Sequence, residues 1–322
     1  MPAVKVPENL PDLVRSAFGK ARQNGDLTYY PTHVTVLSVR GVPFQLRFSP
    51  ALASKPKAPI ADKGMVDARS VDPFENPPQA LRIASLPPDH FLVLNKFAVV
   101  PEHFILATTA FKPQTHLLEA ADLAAVYACI EAYHGAGQEL FAFFNSGDHS
   151  GASQPHRHIQ MLPVERMRDG LNACEDGAKW ELLAERLVGE DLSLPFTTFA
   201  ESLRPDVSPD SLRDIYLSLY RKACAASDVN AEGSTEGEAR ICYNVGMTRN
   251  VMALCPRTAE GSFIRAAPDK LDKVGNVAMN GTVLAGTALV KGQEEWEALR
   301  NDPEQLAAIL SKIGIPTSKT SG

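Results

Sequence analysis

The chain has 322 residues, 44% of them apolar and 22% charged, with a formal net charge of −6. That length supports a substantial hydrophobic core in one large domain or two modest ones. The acidic balance argues against broad binding to nucleic acid or anionic membrane, which needs a basic face, but leaves room for a small polyanion in a local basic pocket.

The opening MPAVKVPENLPDLV lacks a signal-like apolar stretch, and no run of about 18 apolar residues occurs elsewhere. A soluble cytoplasmic protein is expected. Residues 8–23 carry Leu10, Leu13, Val14, Ala17 and Phe18 on one helical stripe. His33–Val39 and Val42–Phe48 read as strands around a tight Arg40-Gly41 turn. The Pro-dense residues 50–90 read as a long, partly ordered loop, a kind of segment that is often functional. Phe91–Val100 and Phe104–Phe111 are expected strands, followed by a helix from Glu119 to His134 with Leu123, Val126, Tyr127 and Ile130 inward. Next come a short strand, Leu140–Phe144, the polar loop NSGDHSGASQP, and a strand over HRHIQML.

After Trp180 a helix, a strand at Phe196–Ala200 and a helix over 209–225 are expected. Residues 225–239 are polar, acidic and poor in bulky apolar groups, and read as a flexible surface insert. Strands at 240–246 and 250–255, an apolar Gly-containing stretch at 279–290 and two short helices complete the chain. Helices mixed with mostly antiparallel strand pairs give an α+β class. The expected organisation is a catalytic region 1–224, the insert 225–239, and a region 240–322 that completes the core and the site. Cys129, Cys174, Cys224, Cys242 and Cys255 form no CxxC pair, and the eight histidines form no HExxH. Reduced thiols and no metal site are expected.

The chemistry concentrates in Asn145–Gln160. On an extended strand His156, His158 and Gln160 share one face, with Arg157, Ile159 and Met161 on the other. Two histidines on one face read equally well as a solvated strand edge or as a working site. The preceding Ser150-Gly151-Ala152-Ser153 shifts the balance. Glycine lets backbone N–H groups approach an anion, successive N–H groups form a nest, and the hydroxyls add donors. An anion cradle leading into a histidine ladder suits attack of an imidazole on phosphorus.

His-Arg-His-Ile-Gln resembles the His-x-His-x-Gln signature of the transferase branch of the histidine-triad superfamily. The longer SGASQPHRHIQ, with LNKF (94–97), PEHFIL (101–106), FKPQT (111–115) and YNVGMT (243–248), is similar to the fungal-type ATP adenylyltransferases that phosphorolyse diadenosine tetraphosphate. The likeness runs from about residue 27 to 292 and implies a histidine-triad-like fold, one large domain with peripheral additions. It implies His158 as the nucleophile, Gln160 holding a non-bridging oxygen and His156 orienting the site. It further implies substrate contacts at Lys55, Asn95, Lys96, Asn145, Ser150, Gly151, Ala152 and Ser153. Asn280, Gly281, Thr282, Thr287 and Lys291 match the C-terminal substrate-binding stretch. The implied partners are diadenosine tetraphosphate, ATP, ADP and phosphate. No tightly bound cofactor is expected; a divalent cation such as Mg²⁺ is plausible on the polyphosphate. Alternatives are a hexose-1-phosphate uridylyltransferase, or a dinucleotide sensor without catalysis. The complete signature and intact loop count against the sensor.

Overall fold

A computed structural model describes residues 4–54, 72–171, 179–266 and 272–317. Its elements run α1 (Leu10–Asn24), β1 (Thr28–Tyr29), β2 (His33–Val39), β3 (Val42–Phe48), β4 (Arg82–Leu86), β5 (His90–Leu94), β6 (Phe97–Ala98), β7 (Phe104–Thr108), α2 (Ala120–Gly135), β8 (Leu140–Ser146) and β9 (His158–Pro163). There follow α3 (Val164–Met167), α4 (Leu183–Arg186), β10 (Phe199–Ser202), α5 (Pro209–Ala226), β11 (Cys242–Met247), β12 (Val251–Arg257), β13 (Gly261–Arg265), β14 (Lys273–Ala278), β15 (Thr287–Val290), α6 (Gln293–Asn301) and α7 (Glu304–Ile313).

An eight-stranded sheet, β10-β12-β11-β8-β9-β7-β5-β4, is the frame. All its pairings are antiparallel, so the α+β class holds. Buried side chains form two clusters, one with α1, α2 and α5, the other with the small sheet β15-β3-β2 and helices α6 and α7. Strand β9 shows the alternation directly. Ile159 and Met161 belong to the first cluster and Leu162 to the second. In the small sheet β15 runs parallel to β3, with Thr287 opposite Gln45 and Leu289 opposite Arg47.

Several boundaries differ from expectation for local reasons. The expected strand 91–100 breaks at Asn95, whose Oδ1 accepts the Phe97 N–H at 2.9 Å. The chain then turns off to pair Phe97–Ala98 with Thr28–Tyr29. Strand β7 stops at Thr108 rather than Phe111. The HRHIQML strand starts only at His158, and His156 makes an isolated bridge to Pro113. The strand expected at Phe196–Ala200 starts only at Phe199, with Phe196 in an isolated bridge to Pro316. Part of the 50–90 segment forms β4, and β13–β14 is a hairpin not anticipated. The 279–290 stretch is a 3₁₀ turn, Gly281–Ala285, followed by β15. Beyond α5, residues 237–239 lie along 115–117, through Leu117 N–H to Gly237 O at 2.8 Å and Ala239 N–H to Thr115 O at 2.9 Å. No helix among the described residues is long and apolar enough to cross a membrane.

Candidate active site

Strand β9 lies inside the large sheet, with His158 opposite Ala107 of β7 and Gln160 opposite both Ile105 and Phe143. A buried glutamine from the segment between β7 and α2 clamps its start. Gln114 Oε1 accepts His158 N–H at 2.7 Å, and Gln114 Nε2 donates to His158 O at 3.1 Å and to Asn145 O at 2.8 Å. The His158 Nδ1–H donates to the His156 carbonyl at 2.8 Å. That bond fixes the tautomer and leaves Nε2 with the lone pair. Phe74 stacks on the His158 ring, centroids 5.1 Å apart and planes 29° apart. Burial, together with the neighbouring His156, lowers the His158 pKa to about 4. The imidazole is therefore neutral and nucleophilic at physiological pH.

The main-chain carbonyl of His156 holds the His158 ring. Its Nε2 faces the Thr108 carbonyl at 2.8 Å, and its Nδ1 lies 2.6 Å from the Asp72 carboxylate. Phe74 also packs edge-on against His156, and Phe111, 59% exposed, approaches the same ring at 5.3 Å. Gln160 is oriented from behind. Asn95 Oδ1 is taken by the Phe97 N–H, so Asn95 Nδ2 is the group that donates to His103 Nδ1 at 3.1 Å. His103 in turn is hydrogen-bonded to Gln160, and burial lowers the His103 pKa to about 4. A neutral His103 that accepts at Nδ1 donates from Nε2, so it meets the Gln160 oxygen and leaves the amide N–H₂ available to a ligand.

Two loops meet beside these residues. Asn145 Oδ1 accepts the Gly281 N–H at 2.8 Å and Asn244 Nδ2 at 2.9 Å. Gly151 has φ +78°, and a Cβ there would sit 2.8 Å from the Met279 carbonyl. A Cβ on Gly281 would meet Phe143 at 2.8 Å. Both glycines allow a backbone approach that a side chain would block. Ser150 is fully buried, and its hydroxyl donates to Gly147 O at 2.6 Å, so it closes the turn instead of facing a ligand.

The loops and the two sheets enclose a cavity of about 280 Å³. Of the expected contacts, Asn95, Gly151, Ser153, Gln160, Asn280, Thr282 and Thr287 line it. Asn145 and Gly281 lie directly behind, and Ala152 sits on the same loop. Lys96 and Lys291 are exposed and do not line the cavity; Lys55 lies outside the described residues. Sequence reasoning gave no role to Gln114, His103, Asp72, Phe74, Asn244, Arg257 or Arg47. Gln114 and His103 fall within the FKPQT and PEHFIL strings and could have been found there. Arg47 lines the cavity while only 2% exposed, and burial lowers its pKa to about 10. Among the described residues no cluster of three His, Cys, Asp or Glu is arranged to hold a metal.

Comparisons with known proteins agree over the whole length. The family model described as Ap4A phosphorylase N-terminal domain matches residues 2–173, and that described as ATP adenylyltransferase C-terminal domain matches 192–316. Diadenosine 5',5'''-P1,P4-tetraphosphate phosphorylase 2 of Saccharomyces cerevisiae is 29% identical over 333 residues, covering 97% of each chain. Protein APA1 of the same yeast is 26% identical over 341 residues, covering 99% of this chain and 98% of the relative. The crystal structure of yeast Ap4A phosphorylase Apa2 in complex with Ap4A superposes with TM-score 0.73 at 26% identity, covering 98% of this chain and 100% of that one. The Apa2 complex with AMP gives TM-score 0.76 at 26% identity, with 98% and 99% coverage.

Proposed function

Because the chain belongs to the Ap4A phosphorylase and ATP adenylyltransferase family, we propose that it is a nucleotidyltransferase that cleaves diadenosine tetraphosphate with inorganic phosphate, reversibly, to ADP and ATP. The observation that carries the reading is the geometry of His158: Nδ1–H held by a carbonyl at 2.8 Å, Nε2 with no hydrogen-bond partner among the described residues, and a ring that burial keeps neutral, two residues from Gln160. The Nε2 lone pair forms a bond to the α-phosphorus as the bond from that phosphorus to the bridging oxygen breaks. ATP leaves with the electron pair. The positive charge that develops on the ring spreads toward the His156 carbonyl, and the Gln160 amide donates to a non-bridging oxygen. A phosphate oxygen then attacks the same phosphorus and expels His158, giving ADP. Polyphosphate is a good leaving group, so positioning and charge stabilisation outweigh general-acid help.

In this reading the amide of Gln160, which cannot exchange a proton as a histidine would, favours anionic phosphate over water as acceptor. A divalent cation such as Mg²⁺ arrives with the substrate phosphates and is not resident. The cytoplasm, where ATP, ADP and phosphate are plentiful, is the assigned compartment. The test supplies diadenosine tetraphosphate with and without isotope-labelled phosphate. Little turnover without phosphate, equal ADP and ATP with it, and label in ADP alone are expected. An AMP adduct should appear by intact mass and vanish in His158→Ala. Rapid phosphate-independent release of AMP would make the chain a hydrolase and overturn the reading.

A further inference from the structure

Asp72, Pro73 and Phe74 lead a turn that lies over the two histidines ahead of Gln160. One carboxylate ties it down twice. Asp72 Oδ1 accepts the Phe74 N–H at 2.9 Å, and Asp72 Oδ2 lies 2.6 Å from His156 Nδ1. The Phe74 ring is 6% exposed and packs into the cluster that holds Ile159 and Met161. It meets the two imidazoles differently. It stands at 81° to His156, with centroids 5.7 Å apart, and at 29° to His158, with centroids 5.1 Å apart. Of the two, His158 alone stacks on the face of the benzene ring.

That contact gains strength as the reaction proceeds. Before attack the imidazole is neutral, and the stacking is ordinary aromatic packing. When Nε2 bonds to the α-phosphorus and ATP leaves with the electron pair, Nδ1 keeps the proton that it donates to the His156 carbonyl at 2.8 Å. The ring then holds a positive charge until phosphate expels it. Among the described residues no carboxylate hydrogen-bonds to His158, whose ring donates only to that carbonyl. The face of a benzene ring carries negative quadrupole density, which attracts a cation within about 6 Å of its centroid. An attraction that is stronger in the charged state than in the neutral one lowers the barrier between them.

We propose that the π face of Phe74 stabilises the positive charge that His158 acquires on taking AMP, and that Asp72 is the positioning residue that holds Phe74 there. The assignment rests on the nucleotide-transfer reading above and adds two residues to it. Neither lines the cavity. Their effect should fall on formation of the adduct and spare nucleotide affinity.

The test measures, on the full chain, the single-turnover rate of AMP-adduct formation from diadenosine tetraphosphate without phosphate, read by intact mass, and the Kd of AMP by calorimetry. Phe74→Leu keeps an apolar side chain over His158 and removes the π face. Adduct formation should slow about five- to tenfold while the AMP Kd stays within about twofold. Phe74→Tyr keeps the face and should run within about twofold of wild type. Asp72→Asn has one oxygen for either the Phe74 N–H or His156, and should slow the step about threefold. Joined to Phe74→Leu it should add no further slowing, because Asp72 acts through the ring. If Phe74→Leu does not fold, Phe74→Met takes its place and is read in the same way. An unchanged rate in Phe74→Leu, a Phe74→Tyr as slow as Phe74→Leu, or an AMP Kd that rises as the rate falls overturns the role of the π face. Slowing in the double variant equal to the product of the two singles overturns the link from Asp72. A wild type that forms no adduct overturns the proposed function and this inference together, whereas a wild type that forms it beside an indifferent Phe74→Leu overturns this inference alone.

Discussion

Arg157 and Arg47 are equally buried, at 2% exposure each, yet they are neutralised in different ways. Behind β9, Arg157 meets carboxylates: Glu119 at 2.8 Å and Asp122 at 2.7 Å. Asp122 also accepts His90 Nε2 at 2.8 Å and the Glu119 N–H at 2.8 Å, at the start of α2. Burial pushes the Asp122 carboxyl up, but the His90 bond and the Arg157 charge outweigh it and hold it below its usual range. Across the cavity, Arg47 meets Gln45 Oε1, Thr32 Oγ1 and the Met167 carbonyl, none of them charged. A charge cluster fixes structure, whereas a cation whose hydrogen bonds among the described residues go to neutral oxygens, with the Asp169 carboxylate acting on it without a hydrogen bond, leaves more of its potential at the wall it lines.

Removing one partner of the closed cluster should have the largest effect. Asp122→Ala takes the buried partner from His90 and leaves Arg157 with the half-exposed Glu119 alone, and should cost about 3 kcal/mol in urea denaturation. A loss under about 1 kcal/mol would mean that the cluster is not what anchors the strand. Arg47→Met should behave in the opposite way. Its stability should fall by only about 1–2 kcal/mol, since no charge is left unpaired, while nucleotide Kd rises at least tenfold by calorimetry. Equal stability losses in the two variants would dissolve the contrast.

Acid provides a third probe. His103 and His158 both have pKa values of about 4 in the folded chain, against about 6.5 when unfolded. Between those values the unfolded chain binds protons that the folded chain refuses, so stability should decline as pH drops from about 6.5 toward 4. Nucleophile function should persist over that same window. Formation of the AMP adduct, measured without phosphate at the temperature where the chain remains folded, should show no acid limb near 6.5 and should fail only near 4. An adduct rate that halves at about 6.5 would contradict the buried, neutral imidazole.

The smallest change is expected at Thr287, whose buried hydroxyl has no partner among the described residues and borders the cavity. An orphan buried hydroxyl is a liability without a ligand. Thr287→Val should therefore leave the melting temperature unchanged or slightly higher while weakening nucleotide binding a few-fold. A lower melting temperature would show that the hydroxyl has a structural role.

Local pattern explains what was legible beforehand. Alternation along 156–162 placed His158 and Gln160 on one face and Ile159 and Met161 on the other, and the small residues of 150–153 announced a tight loop. The helix over 119–134 and the β2–β3 hairpin were legible for the same reason. What escaped was set by distant partners. Nothing near Arg257 in the sequence points to Asn244, thirteen positions away, whose side-chain oxygen it bonds. Arg157 was placed on the face of Ile159 and Met161 with no partner in view, and only the fold brings Asp122 to it. Asn95 sits in an apolar run that reads as one strand, and its side chain breaks that run by taking the Phe97 N–H. The 225–239 segment is too polar to bury much apolar area, yet its docking on 115–117 uses backbone bonds that composition does not reveal.

The parallel pairing of Thr287–Val290 with Gln45–Phe48 stitches a late segment of the chain onto an early one. A ribosome that has just made His158 has produced that imidazole, the Ser150–Ser153 loop and Arg47, but not Asn244, Arg257, Asn280 or Thr287. The growing chain therefore carries His158 for almost half of its synthesis without Asn280, Thr282 and Thr287 of the cavity wall. That wall is complete only once β15 lies beside β3.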